Sequence, residues 1–175
     1  MTDESKFVSD IANKISEKFG DEFISSNEFH RTVSVSVKSK KILEILEFCT
    51  NDADLKLHFL TDLTAVDYLE MEAPGRMAVV YCLRNTSTMN YVLIKAFLPD
   101  NEMEIDSVVG MWSSAEWLER EVWDLFGIKF KGHPELKRIL MPDDYKGHPL
   151  LKDYPLKGRG ERDSFKIVQR ESERY

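Results

Sequence analysis

Apolar residues recur with two distinct periods over the first two thirds of this chain, and the last third keeps neither. Phe7, Val8, Ile11, Ile15 and Phe19 fall on one face at helical spacing, with Gly20 as a natural stop. Val33, Val35 and Val37 alternate with Ser34 and Ser36, the period-two mark of a strand with one dry and one wet face. Ser39 is placed to cap a second helix whose apolar stripe is Ile42, Leu43, Ile45, Leu46 and Cys49. Leu55, Leu57 and Phe59 alternate with Lys56 and His58, as in a strand or its approach. Thr61 to Leu69 fits no single period, and Glu72-Ala73-Pro74-Gly75 is a turn.

Met77 to Leu83 and Tyr91 to Leu98 are β-rich, separated by the polar run Arg84 to Asn90. A parallel crossover needs about a dozen residues, so an antiparallel hairpin is expected. Ser113-Ser114-Ala115-Glu116 has capping-box spacing and opens a helix expected to bury Leu118, Val122, Leu125 and Phe126. Glu116 to Arg120 and Arg120 to Asp124 are i,i+4 pairs, and Gly127 suits a left-handed helix end. Helices before and after a mostly antiparallel sheet predict an α+β domain over residues 1–127.

From residue 128 the texture changes. Four of the six prolines lie beyond Gly127, as do four of the eight glycines. Lys131-Gly132-His133-Pro134 recurs as Lys146-Gly147-His148-Pro149, an offset too short for a solenoid repeat. Between the turns sit Ile128, Phe130, Leu136, Ile139, Leu140, Leu150, Leu151, Tyr154 and Leu156. Residues 128–175 therefore read as an extended, Pro/Gly-punctuated C-terminal tail that cannot bury itself and docks on a partner surface. Fully extended it could reach on the order of 150 Å.

Composition narrows the function. The chain has 175 residues, enough for one domain with its own core. Its net charge of -7 argues against nucleic acid, whose binding rests on cations neutralising phosphates. From Ile128 onward 12 Lys/Arg face 8 Asp/Glu, while the preceding residues carry 12 against 23. An acidic body with a basic tail points the tail towards an acidic protein surface. No run is long and apolar enough to span a bilayer, and no secretion signal is visible. Cys49 and Cys82 are the only cysteines, in apolar patterns, with no Cys-x-x-Cys spacing. An iron–sulfur cluster needs about four suitably spaced ligands, so none is expected on this chain.

Candidate chemistry is sparse. His133 and His148, with Asp143 and Asp144 between them, are the tempting metal pair, but no tight His pair exists and a structural role as hydrogen-bonding turn imidazoles is expected. Glu119, Glu121 and Asp124 invite a paired-carboxylate reading, yet Arg120 among them makes ion pairing the plainer account. No nucleophile elbow or phosphate loop is present. Trp112, Trp117 and Trp123 follow no single stripe, so one of them is expected to face a partner.

The order Glu119-Arg120-Glu121, Asp124-Leu125-Phe126-Gly127-Ile128, Phe130 and Gly132-His133-Pro134 is informative as a block. It continues through Arg138-Ile139-Leu140, Pro142-Asp143-Asp144, Gly147-His148-Pro149-Leu150 and Lys152-Asp153-Tyr154-Pro155-Leu156. This block closely resembles the 30 kDa subunit family of respiratory complex I, the NADH–quinone oxidoreductase. Thr64-Ala65-Val66-Asp67-Tyr68 extends the likeness upstream. Tyr145 stands where that family usually has Trp, and Leu151 where it usually has a basic residue.

The resemblance implies a non-catalytic, cofactor-free structural subunit of the peripheral arm, on the cytoplasmic face of the inner (plasma) membrane. It implies a hetero-oligomer with a 49 kDa-like protein and neighbouring iron–sulfur subunits. FMN, iron–sulfur clusters and quinone belong to the complex, which couples electron transfer from NADH to proton translocation. The signature residues, partner-facing on this reading, run from Glu119 to Pro155. Alternatives are the equivalent subunit of an energy-converting hydrogenase, or of an F420-type or plastid and cyanobacterial dehydrogenase. A free-standing adaptor or a metal hydrolase using His133 and His148 is the reading from another class. The isolated protein is expected to show a protease-resistant body to about Phe126 and a labile tail.

Overall fold

The computed structural model describes residues 3–30 and 32–160, with side chains in the first helix described from Asp10 onward. Phe7 and Val8 of the expected first stripe, and the tail beyond residue 160, lie outside the described residues. Among those described, the elements run α1 (Asp3–Lys18), β1 (Phe23–Phe29), β2 (Thr32–Lys38), α2 (Ile42–Asn51) and β3 (Phe59–Asp67). Then come β4 (Met77–Arg84), β5 (Tyr91–Phe97), β6 (Glu104–Asp106), α3 (Ala115–Phe126) and β7 (Lys129–Lys131).

The main sheet has the order β1-β2-β5-β4-β3, and β6 and β7 form a second, two-stranded sheet. The expected hairpin forms: β4 and β5 pair antiparallel, from Ala78 opposite Phe97 to Arg84 opposite Tyr91. β4, an interior strand between β5 and β3, is buried at every position from Met77 to Leu83, so both of its faces are covered. β2 keeps its alternation, with Val33, Val35 and Val37 inward. It pairs in parallel with β5, which the chain reaches only after α2, β3 and β4. The fold is thus α+β with a mostly antiparallel sheet, as the sequence predicts.

Several local expectations need correction. Ser39 does not cap α2; it sits buried in a 3-10 turn, Ser39–Lys41, that leads into the helix. The capping box before α3 does not form either. Ser114 has a helical backbone, φ -62° and ψ -26°, and makes no side-chain cap bond. The first amides of α3 are met instead by backbone carbonyls, Ala115 N to Trp112 O at 3.0 Å and Glu116 N to Ser113 O at 3.3 Å. The region Thr61 to Leu69 resolves largely into β3, with Leu55 and Leu57 buried in its approach.

One cluster joins Ile11 and Ile15 of α1, Ile45 and Leu46 of α2, the inward face of the sheet, and Val122 and Phe126 of α3. Ile128 (0% exposed) and Phe130 (4%) belong to the same core, and β7 pairs in parallel with β6. The packed body therefore runs to Lys131. Beyond it, turns rather than helices or strands carry the chain to residue 160. This ribbon lies along its own body, whereas the sequence predicted a tail unable to settle there. The reason is polar: body carboxylates and carbonyls capture its backbone.

Candidate functional site

Acidic side chains at positions where the periodicity calls for apolar ones organise the region. On α3 the buried residues are Ala115, Glu119, Val122, Asp124 and Phe126. Leu118 and Leu125, expected in the core, are only half-buried. On β3 the inward phase Leu63, Ala65 continues to Asp67, which is 3% exposed. A buried carboxylate must be satisfied by donors, and each of these has found a different set.

Asp124 is fully buried. Its Oδ2 accepts the amides of Ile139, Leu140 and Met141 at 3.1, 2.8 and 2.9 Å. Its Oδ1 accepts Nη1 of Arg138, closing an ion pair. Burial alone would push this carboxyl up; the three ribbon amides and the guanidinium outweigh it and hold the pKa below the ordinary range. Arg138 also donates Nη2 to the carbonyls of Tyr145 (2.8 Å) and Gly147 (3.2 Å). One carboxylate and one guanidinium therefore tie residues 138–147 to the end of α3.

His148 completes this knot. Its Nδ1 donates to the Asp124 carbonyl at 2.9 Å, and its ring packs against Gly127. Gly127 closes α3 in the left-handed conformation, φ 81°, its amide on Trp123 O at 2.9 Å. A Cβ there would lie 2.7 Å from the imidazole, so glycine is required by both backbone and neighbour. The Leu150 amide then donates to Leu125 O at 3.0 Å.

His133 serves the other end of the helix: its Nε2 donates to Glu116 O at 3.0 Å, and its Nδ1 accepts the Glu135 amide at 3.0 Å. The two histidines thus bond separate carbonyls of α3. Arg120 departs from expectation. It pairs with neither Glu116 nor Asp124; its Nε donates to Lys137 O (3.0 Å) and Nη2 to Arg138 O (3.4 Å), with the guanidinium 4.9 Å from the Trp117 ring. Asp124 turns inward, away from Arg120, because the ribbon supplies its donors. Glu121 is exposed and shares no environment with Asp124.

Glu119 is fully buried, and among the described residues no salt bridge closes on it. It accepts Ser107 Oγ and the Val108 amide, both at 2.6 Å. Burial raises its pKa in spite of those two donors.

A second clamp lies at the ribbon's far end. Asp67 accepts Arg76 Nε (3.1 Å) and Nη2 (3.0 Å), the Leu69 amide (3.0 Å) and the Lys152 amide (3.0 Å). Arg76 also bonds Asp153 at 2.8 Å. Burial opposes ionisation of Asp67, but Arg76 and the amides prevail and its pKa is lowered. Tyr154 meets Tyr145 hydroxyl to hydroxyl at 2.6 Å, and its ring lies close over Gly147. Pro134, Pro142 and Pro155 are exposed at turns, as are Asp143 and Asp144; Pro149 is half-buried. The signature residues are brought together only in part. Asp124, Arg138, His148 and Gly127 form one knot, Lys152 and Asp153 a separate clamp, and Glu119 stands alone.

Reasoning from sequence missed the roles of Asp67, Arg76 and Ser107. The signal was available for Asp67: an acid at the dry phase of an alternating strand. Arg76 and Ser107 carry no comparable mark.

The apolar anchors divide. Ile128 and Phe130 are core, Leu136 and Leu151 pack on it, and Leu140 (57%), Leu150 (49%) and Leu156 (104%) are exposed. Trp117 is 60% exposed on α3.

Residues 35–160 match the family described as respiratory-chain NADH dehydrogenase, 30 Kd subunit. A relative from Citrifermentans bemidjiense, named as a subunit of NADH-quinone oxidoreductase, is 48% identical over 145 residues, covering 83% of this chain and 88% of that one. The subunit of the same name from Geobacter sulfurreducens is 46% identical with the same coverage, and that from Roseiflexus castenholzii 40% identical over 78% of this chain and 77% of its own. A solved trypsin-resistant fragment of Nqo5, residues 1–134, superposes with a TM-score of 0.61 at 27% identity, covering 74% of this chain and 99% of the fragment. A chain from the membrane-bound sulfane sulfur reductase, an archaeal respiratory membrane complex, shares the fold, with a TM-score of 0.71 at 21% identity over 95% of this chain and 98% of that one.

Proposed function

The chain belongs to the 30 kDa subunit family of respiratory-chain NADH dehydrogenase, and from that membership we propose that it gives NADH–quinone oxidoreductase position rather than chemistry. It is a subunit of that enzyme, and the complex as a whole carries electrons from NADH to quinone. On this reading the chain holds no cofactor and no catalytic residue; FMN and the iron–sulfur clusters reside in other subunits. Its cysteines support this, because both are buried in the body and free. Burial pushes the Cys49 thiol up to about 12, the reverse of what a thiolate ligand needs.

The working surface is the ribbon, and its partners are a 49 kDa-like subunit and neighbouring iron–sulfur subunits of the peripheral arm, on the cytoplasmic side of the membrane. Among the described residues no helix is long and apolar enough to cross a membrane. The observation that carries the reading is the division of the apolar anchors. The backbone of Leu140 and that of Leu150 are tied to α3, yet both side chains face out. Fully burying one such leucine contributes roughly 1.5–3 kcal/mol, offset by the loss of side-chain freedom. The trypsin-resistant Nqo5 fragment, which matches about three quarters of this chain, is in line with a body and a separable C-terminal part.

The test is co-purification of the complex with a chain ending at Gly132. Ending it at Gly127 would remove Ile128 and Phe130 from the core and unfold the body for an unrelated reason. Loss of the shortened chain from the complex, with its own fold intact, is expected. Its full incorporation would remove the ribbon's role.

A further inference from the structure

Two contacts connect the ribbon to the outer side of α3. Arg120 lies over Trp117 while donating to the carbonyls of Lys137 and Arg138, so the middle of the helix is continuous with the chain just before Leu140. At the helix end, Asp124 holds the Leu140 amide and Leu125 O holds the Leu150 amide. Two separate passes of the ribbon thus start from adjacent residues of the last turn. Trp117, Glu121 and Leu125 are spaced i, i+4, i+8 and share one stripe. Trp117, Leu140 and Leu150 are each about half exposed or more, a concentration of large apolar side chains that marks an interaction site when it is contiguous.

We propose that the docking surface is composite. Trp117 and Leu125 of α3 act together with Leu140 and Leu150 of the ribbon, and Asp124 is the positioning residue that sets them side by side. The occupant is an apolar face with an acidic rim on another subunit of the same oxidoreductase. Charge supports that choice: the ribbon, residues 132–160, carries 6 Lys/Arg against 4 Asp/Glu. The proposal rests on the docking reading above and narrows it from a free tail to a surface that needs the folded body.

The experiment compares four full-length variants in cells that build the enzyme, capturing the complex through a different, tagged subunit. Trypsin digestion of each isolated chain reads the ribbon separately. Leu140→Ser with Leu150→Ser, and separately Trp117→Ser, are expected to lower incorporation by about tenfold with an unchanged digestion pattern. Asp124→Asn is expected to lower incorporation and also to speed cleavage within the ribbon. Phe29→Ser, on the edge strand at the far side of the sheet from β3, is expected to change neither readout.

Wild-type incorporation of the leucine and tryptophan variants would overturn the composite surface. If the chain ending at Gly132 is still excluded, the docking reading itself survives. Equal loss with Phe29→Ser would also overturn the proposal. So would self-association of the isolated wild-type chain that the leucine changes abolish, because the occupant would then be a second copy.

Discussion

The body to Lys131 and the ribbon after it are held by different forces. Apolar burial holds the body: β4 is dry on both faces, and one cluster spans all three helices and the sheet. Such cohesion is non-directional and spread over many side chains. Directional bonds to two acids hold the ribbon, Asp124 taking three amides and a guanidinium, and Asp67 taking the Lys152 amide beside Arg76. A segment can therefore follow a defined path without a core of its own. Its order then depends on single groups, and Leu140, Leu150 and Leu156 stay exposed while Leu136 and Leu151 pack on the body.

The border between the two regions gives the largest expected effect. Phe130→Ala should cost about 3–5 kcal/mol of global stability, because the ring is core, and thermal unfolding would show it. Leu140→Ala, with its side chain 57% exposed, should stay within about 0.5 kcal/mol. Similar unfolding temperatures for the two variants would erase the border drawn at Lys131.

Asp124→Ala should come next. Removing one partner of a buried ion pair costs about 3–5 kcal/mol when the other charge stays buried. Here the ribbon can open and let Arg138 reach water, so the loss should appear as ribbon cleavage by trypsin, with the unfolding midpoint moving less. A drop in midpoint as large as that of Phe130→Ala would mean that Asp124 belongs to the body's cohesion. Gly127→Ala should cost about 1–2 kcal/mol from the left-handed backbone, with further displacement of His148. Proton exchange at the His148 ring, followed by NMR, would report that displacement.

Acidity should separate the regions by the smallest margin and in opposite directions. Asp124 and Asp67 have folded pKa values below their unfolded ones. Their contribution is therefore full above the unfolded value of about 3.9 and disappears as pH falls through the folded values. Glu119 has a raised folded pKa, so its contribution is full below the unfolded value and is lost as pH rises through the folded one. Ribbon cleavage by an acid-active protease should therefore rise on acidification below about pH 4. Glu119→Gln should flatten the stability profile just above that range.

Much of the body was legible in the sequence because its forces leave periodic marks. Val33, Val35 and Val37 announced β2, and the two β-rich runs announced their hairpin. β1 left no mark, since Phe23–Phe29 is an edge strand with most of its residues exposed and nothing to alternate. The signature from Glu119 to Pro155 identified the family, but residue order alone could not say that Asp124 takes the amides of residues 139–141 rather than Arg120. That pairing depends on where the chain turns after Gly132. The two failed helix caps have the same origin, since backbone carbonyls of the preceding turns, Ser39 O before α2 and Trp112 O and Ser113 O before α3, took the amides that side chains were expected to satisfy.

Amide hydrogen exchange on the isolated full-length chain, followed at Ile139, Leu140 and Met141, reads the ribbon's pre-ordering most directly. The structure predicts exchange there slower than in an unstructured segment by about tenfold or more, yet faster than in β4, with the protection abolished by Asp124→Asn. Unprotected exchange at all three amides in the wild-type chain, with β4 still protected, would contradict it: the ribbon would then have no fixed path on its own body.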